Sequence, residues 1–420
     1  MGRENCNQNR GFMQMKSILF ATSIAALTCF TAASATAGGF SLRERSTHAQ
    51  GASFSGSTAA AADVTYSLFN PAALSRVEHF EGGFGASVIL PDIKGTAANG
   101  ETQKPGVVGI VPSTALGYRI NENVVVGLGI YSPFGLTTEY DADFIGAFDG
   151  KRSELISIAV QPSIAFDLSD DLSIGIAGAV IYNDPQLTSI TGFDPVTGDP
   201  QETKLDATEF EFSGAIGALW QVTDSTRIGV AYHTGYDITT GGTLSTFNGA
   251  TPVEFQGDAS ISLPMSASIG IHHQINDQWS VMGEFEWANW SEFDEIRVDV
   301  PALAPNNDIG EVTNYKDSIF VSVGAEYRYN DQWSFRGGVA YDQTPTQMNG
   351  RSIRIPDGDR IWASLGLSYQ VNEAMRIDAG YSAIFFMDTD ATLLNGPLAG
   401  TEVDYGGQTH IISIGGTYRF

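Results

Sequence analysis

Leu172-Ser173-Ile174-Gly175-Ile176-Ala177-Gly178-Ala179-Val180 places every second side chain on the same face. A period of two is the mark of a β-strand with one face toward an apolar medium. The same alternation closes the chain, where Ile412, Ile414, Gly416, Tyr418 and Phe420 share one face and Ser413, Thr417 and Arg419 the other. Between these strands and the region after Phe80, six short polar turns recur: Asn121-Glu122-Asn123, Ser169-Asp170-Asp171, Thr223-Asp224-Ser225, Asn276-Asp277-Gln278, Asn330-Asp331-Gln332 and Asn372-Glu373-Ala374. Asn, Asp and Ser suit such turns because their side chains bond the nearby backbone and tolerate unusual dihedrals. The intervening connections, such as Asp184 to Asp206 and Thr240 to Asp258, are longer and read as loops rich in Gly, Pro, Asp and Thr.

Short turns on one side and long loops on the other are the asymmetry of an outer-membrane barrel. Six turns join twelve strands, and one terminal strand at each end makes fourteen. An even count also lets the ladder close so that every backbone group is paired where no water is available. Tyr118, Trp279, Tyr329, Trp333, Tyr369, Tyr418 and Phe420 fall beside short turns or at the C-terminus, as a membrane-interface girdle requires. The expected fold is an all-β, 14-stranded antiparallel transmembrane barrel over residues 80–420, set among outer-membrane lipid and lipopolysaccharide. The terminal Tyr418-Arg419-Phe420 resembles the signal read by the outer-membrane β-barrel assembly machinery, an expected partner.

The N-terminus fits export. Lys16 precedes the apolar run Ile18 to Phe30, and Ala35-Thr36-Ala37 follows, the parts of a secretory signal peptide. Residues 1–37 are read as that signal with extra N-terminal residues, translation starting at Met1, Met13 or Met15. Cys29 lies in a poor match to a lipobox, and Gly2 is followed by Cys6 where myristoylation wants Ser or Thr, so lipidation is disfavoured. Cys6 and Cys29 are the only cysteines, which leaves no disulfide framework and no thiolate metal site after residue 37. Removing Arg3, Arg10, Lys16 and Glu4 from 22 basic and 48 acidic residues leaves 19 and 47, a net charge of −28. Such a balance speaks against nucleic acid as a partner. Beyond the signal, no apolar run approaches the ~20 residues of a membrane helix.

Residues 38–79 break the alternation, being dense in Ala, Ser and Gly while carrying Phe40, Leu42, Phe54, Tyr66, Leu68, Phe69 and Leu74. A barrel this wide cannot be filled by its own side chains, and this segment has more apolar material than a solvated tail needs. It is expected to fill the lumen. Asn70-Pro71-Ala72 is expected to form a fixed turn there, since Pro sets its own dihedral.

Gly39-Phe40-Ser41-Leu42-Arg43-Glu44 and Phe69-Asn70-Pro71-Ala72 resemble the N-terminal hatch of the FadL/TodX family of outer-membrane long-chain fatty acid and hydrocarbon transporters. Tyr131-Ser132-Pro133-Phe134-Gly135-Leu136-Thr137-Thr138-Glu139-Tyr140 is similar to that family's third-strand region. Trp287 to Phe293, Tyr315-Lys316-Asp317, Tyr341 to Pro345 and Ile355 to Trp362 follow in the family's order. The resemblance implies a hatch that includes Phe40, Asn70, Pro71 and Ala72, and uptake of a long-chain fatty acid or similar hydrophobic small molecule, or of neutral aromatic or aliphatic hydrocarbons. It implies sideways exit through a wall opening at Pro133, Phe134 and Gly135, where Pro and Gly weaken strand pairing. It also implies that Ser132 and Lys316 hold the ligand's head group. The family's further arginine falls at Asn183 here, so one cation is missing.

Two rival classes fare worse. A barrel enzyme needs positioned Ser, His and acid, but His48, His79, His233, His272, His273 and His410 are scattered and no G-x-S-x-G elbow occurs, so no catalysis is expected. Acidic pairs such as Asp141/Asp143 offer too few oxygens for Ca²⁺, and no metal or cofactor is expected. A general diffusion porin would need a charged, open lumen and no filling segment. Liposome swelling separates these readings: small sugars are expected to give no swelling at protein amounts where a porin responds fast.

Overall fold

The computed structural model describes residues 38–194, 196–248, 251–302, 311–348 and 351–420; the expected signal peptide lies outside them. Fourteen strands run antiparallel in sequence order. They are β1 (Phe80–Ala97), β2 (Gly109–Asn121), β3 (Val124–Tyr131, then Gly135–Glu139), β4 (Arg152–Asp167), β5 (Leu172–Phe193), β6 (Pro200–Ala207, then Glu209–Thr223) and β7 (Thr226–His233, then Tyr236–Asn248). The second half holds β8 (Thr251–Leu263, then Ser266–Gln274), β9 (Trp279–Ala288), β10 (Ser318–Arg328), β11 (Trp333–Asp342), β12 (Asp359–Gln370), β13 (Met375–Met387) and β14 (Glu402–Arg419). β14 pairs back onto β1 from Glu81↔Arg419 to Ala97↔Val403, which closes the barrel.

All six short turns stand at strand junctions on one side. Three share one device: the Oδ1 atoms of Asn276, Asn330 and Asn372 each accept two backbone N–H groups at 2.8–2.9 Å. The long connections differ from their reading as loops. β5 runs on to Phe193, β6 begins at Pro200, and β7 and β8 pair out to Asn248↔Thr251. Adjacent hairpins supply the missing partners, β6 pairing with β5 and with β7 above the wall, so polar Thr-rich sequence stays extended.

The alternation sorts side chains as a lipid-facing barrel demands. Ile412 and Ile414 are 52% and 61% exposed, whereas Ser413 between them is 2% exposed. Outward apolar rows and inward small or polar ones are the inverse of a soluble core. At the short-turn rim the ring centroids of Trp279 and Tyr327 lie 4.6 Å apart, Trp333 and Tyr369 4.5 Å, and Tyr418 and Phe420 4.4 Å. Such amphipathic rings suit the headgroup level.

Residues 38–79 bond to strands on every side of the ring. Gln50 Nε2 donates to the Ile411 carbonyl of β14, Ser53 Oγ to Ser364 Oγ of β12, the Thr58 N–H to Glu284 of β9, and Asn70 Nδ2 to the Ala218 carbonyl of β6. Asp63 is ion-paired to Arg376 of β13. Asn70 also caps the short 3-10 turn Pro71–Arg76 by accepting from the Ala72 N–H at 3.0 Å. Ser53 and Phe54 take left-handed φ of 51° and 57°, and Phe54 is held by packing against Trp362 at 6.0 Å.

Close approach of this segment needs bare backbone on the wall. A Cβ on Gly366 would stand 2.7 Å from the Gly51 Cα, and one on Gly217 would stand 2.0 Å from Asn70 Oδ1. Nothing flexible can yield at Gly366, because the opposing atom is backbone. Gly366→Val should therefore destabilise the seated segment by about 1–3 kcal/mol, as overpacking does. Limited proteolysis in detergent should cut residues 38–79 faster while the barrel stays heat-modifiable; unchanged cleavage would contradict this packing.

Candidate functional site

The third strand is interrupted. Its ladder with β2 runs from Asn121↔Val124 to Thr114↔Ile130 and stops, although β2 continues to pair with β1 as far as Ile89↔Gly109. Pro133 cannot donate to a ladder, and the pairing with β4 skips from Tyr131↔Ala159 to Gly135↔Ile156. Between those points the chain bends inward to the N-terminal segment. The Leu42 N–H donates to the Pro133 carbonyl at 2.9 Å, the Gly135 N–H donates to the Phe40 carbonyl at 3.0 Å, and Ser41 forms a bridge with Phe134. Residues 40–42 thus act as a short extra strand for the displaced part of β3.

Two cavities meet at this bend. The first is almost wholly apolar, with Phe40, Leu136, Leu155, Leu205, Ile238 and Phe293 among its walls. Its one cationic side chain, Arg354, is buried and paired with Glu311 at 3.4 Å. The second is mixed in character, bounded by Tyr131, Pro133, Phe134, Tyr236, Arg43 and Arg45. Phe134 stands between the two, its ring 6.0 Å from Phe40 and 5.9 Å from Tyr236.

Phe40, Ser132, Pro133, Phe134 and Gly135 therefore come together at the bend. Ser132 is buried and donates to the Ser157 carbonyl at 2.5 Å. The Ser157 hydroxyl donates to Asn183 Oδ1 at 2.9 Å, so Asn183 belongs to the same polar cluster, its Nδ2 buried without a partner among the described residues. Asn70, Pro71 and Ala72 lie elsewhere in the lumen, against β5 and β6. Lys316 is half-buried next to the core residue Tyr315, its backbone N–H bonded to the Pro345 carbonyl, and it lines neither cavity. Arg45, Tyr236 and Ile238 are wall residues that sequence reading did not single out. No spacing rule says which side chain of a lumen segment faces a cavity.

Comparisons place this architecture among known proteins. The long-chain fatty acid transport protein of Escherichia coli O6:H1 is 27% identical over 418 residues, covering 88% of this chain and 92% of that protein. The 47 kDa outer membrane protein of Pasteurella multocida is 27% identical over 389 residues, covering 86% and 90%. Among solved structures, a Pseudomonas aeruginosa FadL homologue superposes with a TM-score of 0.81 at 23% identity, covering 91% of this chain and all of that one. The Ralstonia pickettii toluene transporter TbuX gives 0.66 at 22% identity, covering 89% and 97%. The family described as outer membrane protein transport protein (OMPP1/FadL/TodX) matches residues 28–420, and this outer-membrane β-barrel belongs to it.

Proposed function

We propose that the protein takes up a long-chain fatty acid or similarly hydrophobic small molecule through the outer membrane, without catalysis. The ligand binds in the apolar cavity and leaves sideways at Ser132 to Glu139. One observation carries this reading: an apolar cavity abuts the stretch where β3 parts from β2. Each buried methylene is worth about 0.8 kcal/mol, so a long tail gains nothing from a water-filled pore. It needs an apolar route that ends in lipid. The Escherichia coli relative is a long-chain fatty acid transport protein, which supports the ligand class.

In this reading residues 38–79 are a hatch. Because residues 40–42 bond the displaced part of β3, movement of the hatch and opening of the wall are one event. Neutral aromatic or aliphatic hydrocarbons form a second ligand class, favoured by Asn183, an uncharged residue where the resemblance expects arginine. Lipopolysaccharide surrounds the outer part of the barrel in this proposal, and the C-terminal Phe420 is the signal offered to the assembly machinery.

Deleting residues 38–79 should convert the protein into a leaky pore, with single-channel conductance in planar bilayers well above that of the intact chain. Equal conductance would remove the hatch role. A straightened wall tests the exit: Pro133→Val combined with Gly135→Val, verified to extend the β2–β3 ladder, should abolish fatty acid uptake by whole cells while purified protein still binds the acid. Normal uptake by the straightened variant would end the lateral route.

A further inference from the structure

We infer that Arg45, carried by the N-terminal segment, is the receptor for a carboxylate head group, so that the second cavity holds the head of an acid whose tail lies in the first. This rests on the transport reading above and names its substrate class.

The cations that face the two cavities are not equivalent. Arg354 in the apolar cavity is paired with Glu311, and Arg43 in the mixed cavity is paired with Glu286 at 2.9 Å. Arg45 has no carboxylate within ion-pair distance among the described residues. Its Nη1 donates to the Leu68 carbonyl at 3.0 Å, and its Nε is buried without a partner. The guanidinium lies 4.7 Å from the ring centroid of Tyr131 and 5.7 Å from that of Phe69. Both rings lie within cation–π range of its charge.

A half-buried guanidinium with no carboxylate partner offers its free donors to an anion that enters the cavity beside it. Nearby acids do not do so. Glu286 is already engaged by Arg43, and burial pushes the neighbouring Glu44 carboxyl up to about 7. Glu44 Oε2 meanwhile accepts the Arg43 N–H. His233 also lines the cavity, but its Nε2 is taken up by the Phe69 carbonyl at 2.8 Å.

The place of Arg45 explains how a chain of net charge −28 after residue 37, with Asn183 where a cation was expected, still attracts an acid. Phe40, Ser41 and Leu42, three to five residues before Arg45, are those that pair with the bend of β3. A carboxylate on Arg45 therefore pulls on the stretch that covers the wall break, which couples head-group capture to opening.

The test titrates purified protein in mild detergent with hexadecanoate and with 1-hexadecanol. Arg45→Gln should weaken hexadecanoate by about 10- to 100-fold, the range of one charge-assisted contact, and leave 1-hexadecanol within about twofold. Arg45→Lys keeps the charge but loses the flat fork, and should recover part of the acid affinity, which also guards against a glutamine variant that fails to fold. Equal weakening of both ligands by Arg45→Gln marks a packing role and overturns the proposal. So does retained hexadecanoate affinity in Arg45→Gln with its loss in Lys316→Ala, which assigns the carboxylate to Lys316. If the unmutated protein binds neither ligand, the transport reading falls and this proposal with it.

Discussion

The demand that every backbone N–H and C=O be paired where lipid offers no partner governs this molecule. Thirteen sequential strand pairings and the β1–β14 closure meet it around most of the ring. The inner bend of β3 is where the wall does not. There the groups of Pro133 and Gly135 are met from inside, by Leu42 and Phe40. The N-terminal segment is thus a structural complement of the wall as well as a filling for the lumen. A local lapse in one strand is stable because a second element answers it.

The filling imposes its own conditions. Fourteen strands enclose more space than their inward side chains occupy, and the segment takes up that space only by bringing backbone against backbone. Gly366 and Gly217 make the approach possible, while Gln50, Ser53, Thr58 and Asn70 supply hydrogen bonds that a dry interior would otherwise leave unmade. Deeper charges are handled in pairs: Arg336 with Glu326 and Asp378, Arg360 with Asp342 and Asp357. Pairing of this kind stabilises little by itself, since desolvation offsets most of the attraction; the pairs that reach the segment are Asp63 with Arg376 and Arg43 with Glu286.

Against that satisfied background the two cavities at the bend stand out. One is walled by Leu and Ile from β3, β4, β6 and β7 with Phe40 and Phe293, and the other gathers polar groups from β3, β7 and the segment. Apolar tail and polar head are the two halves of an amphiphile. The arrangement holds them on either side of Phe134, next to the only part of β3 that has left its neighbour β2.

The strand number, the closure, the short-turn side and the lipid-facing rows were legible in the chain because they depend on local rules: a period of two, Asn and Asp at turns, and an outward row as regular as Ile412 and Ile414. Pro133 and Gly135 likewise announced a bend, since a missing N–H and a missing Cβ act on their own residue. The hairpin extensions over 184–206 and 240–258 were not legible, because polar extended sequence becomes strand only when a neighbour is there to pair. Nor was the site complete. Ser132 and Asn183 meet through Ser157 on a strand between them, Lys316 points to neither cavity, and Arg45 reaches one from a segment with no periodicity to orient it. Which side chains share a cavity is decided by elements far apart in sequence, and only the closed ring with its segment in place brings them together.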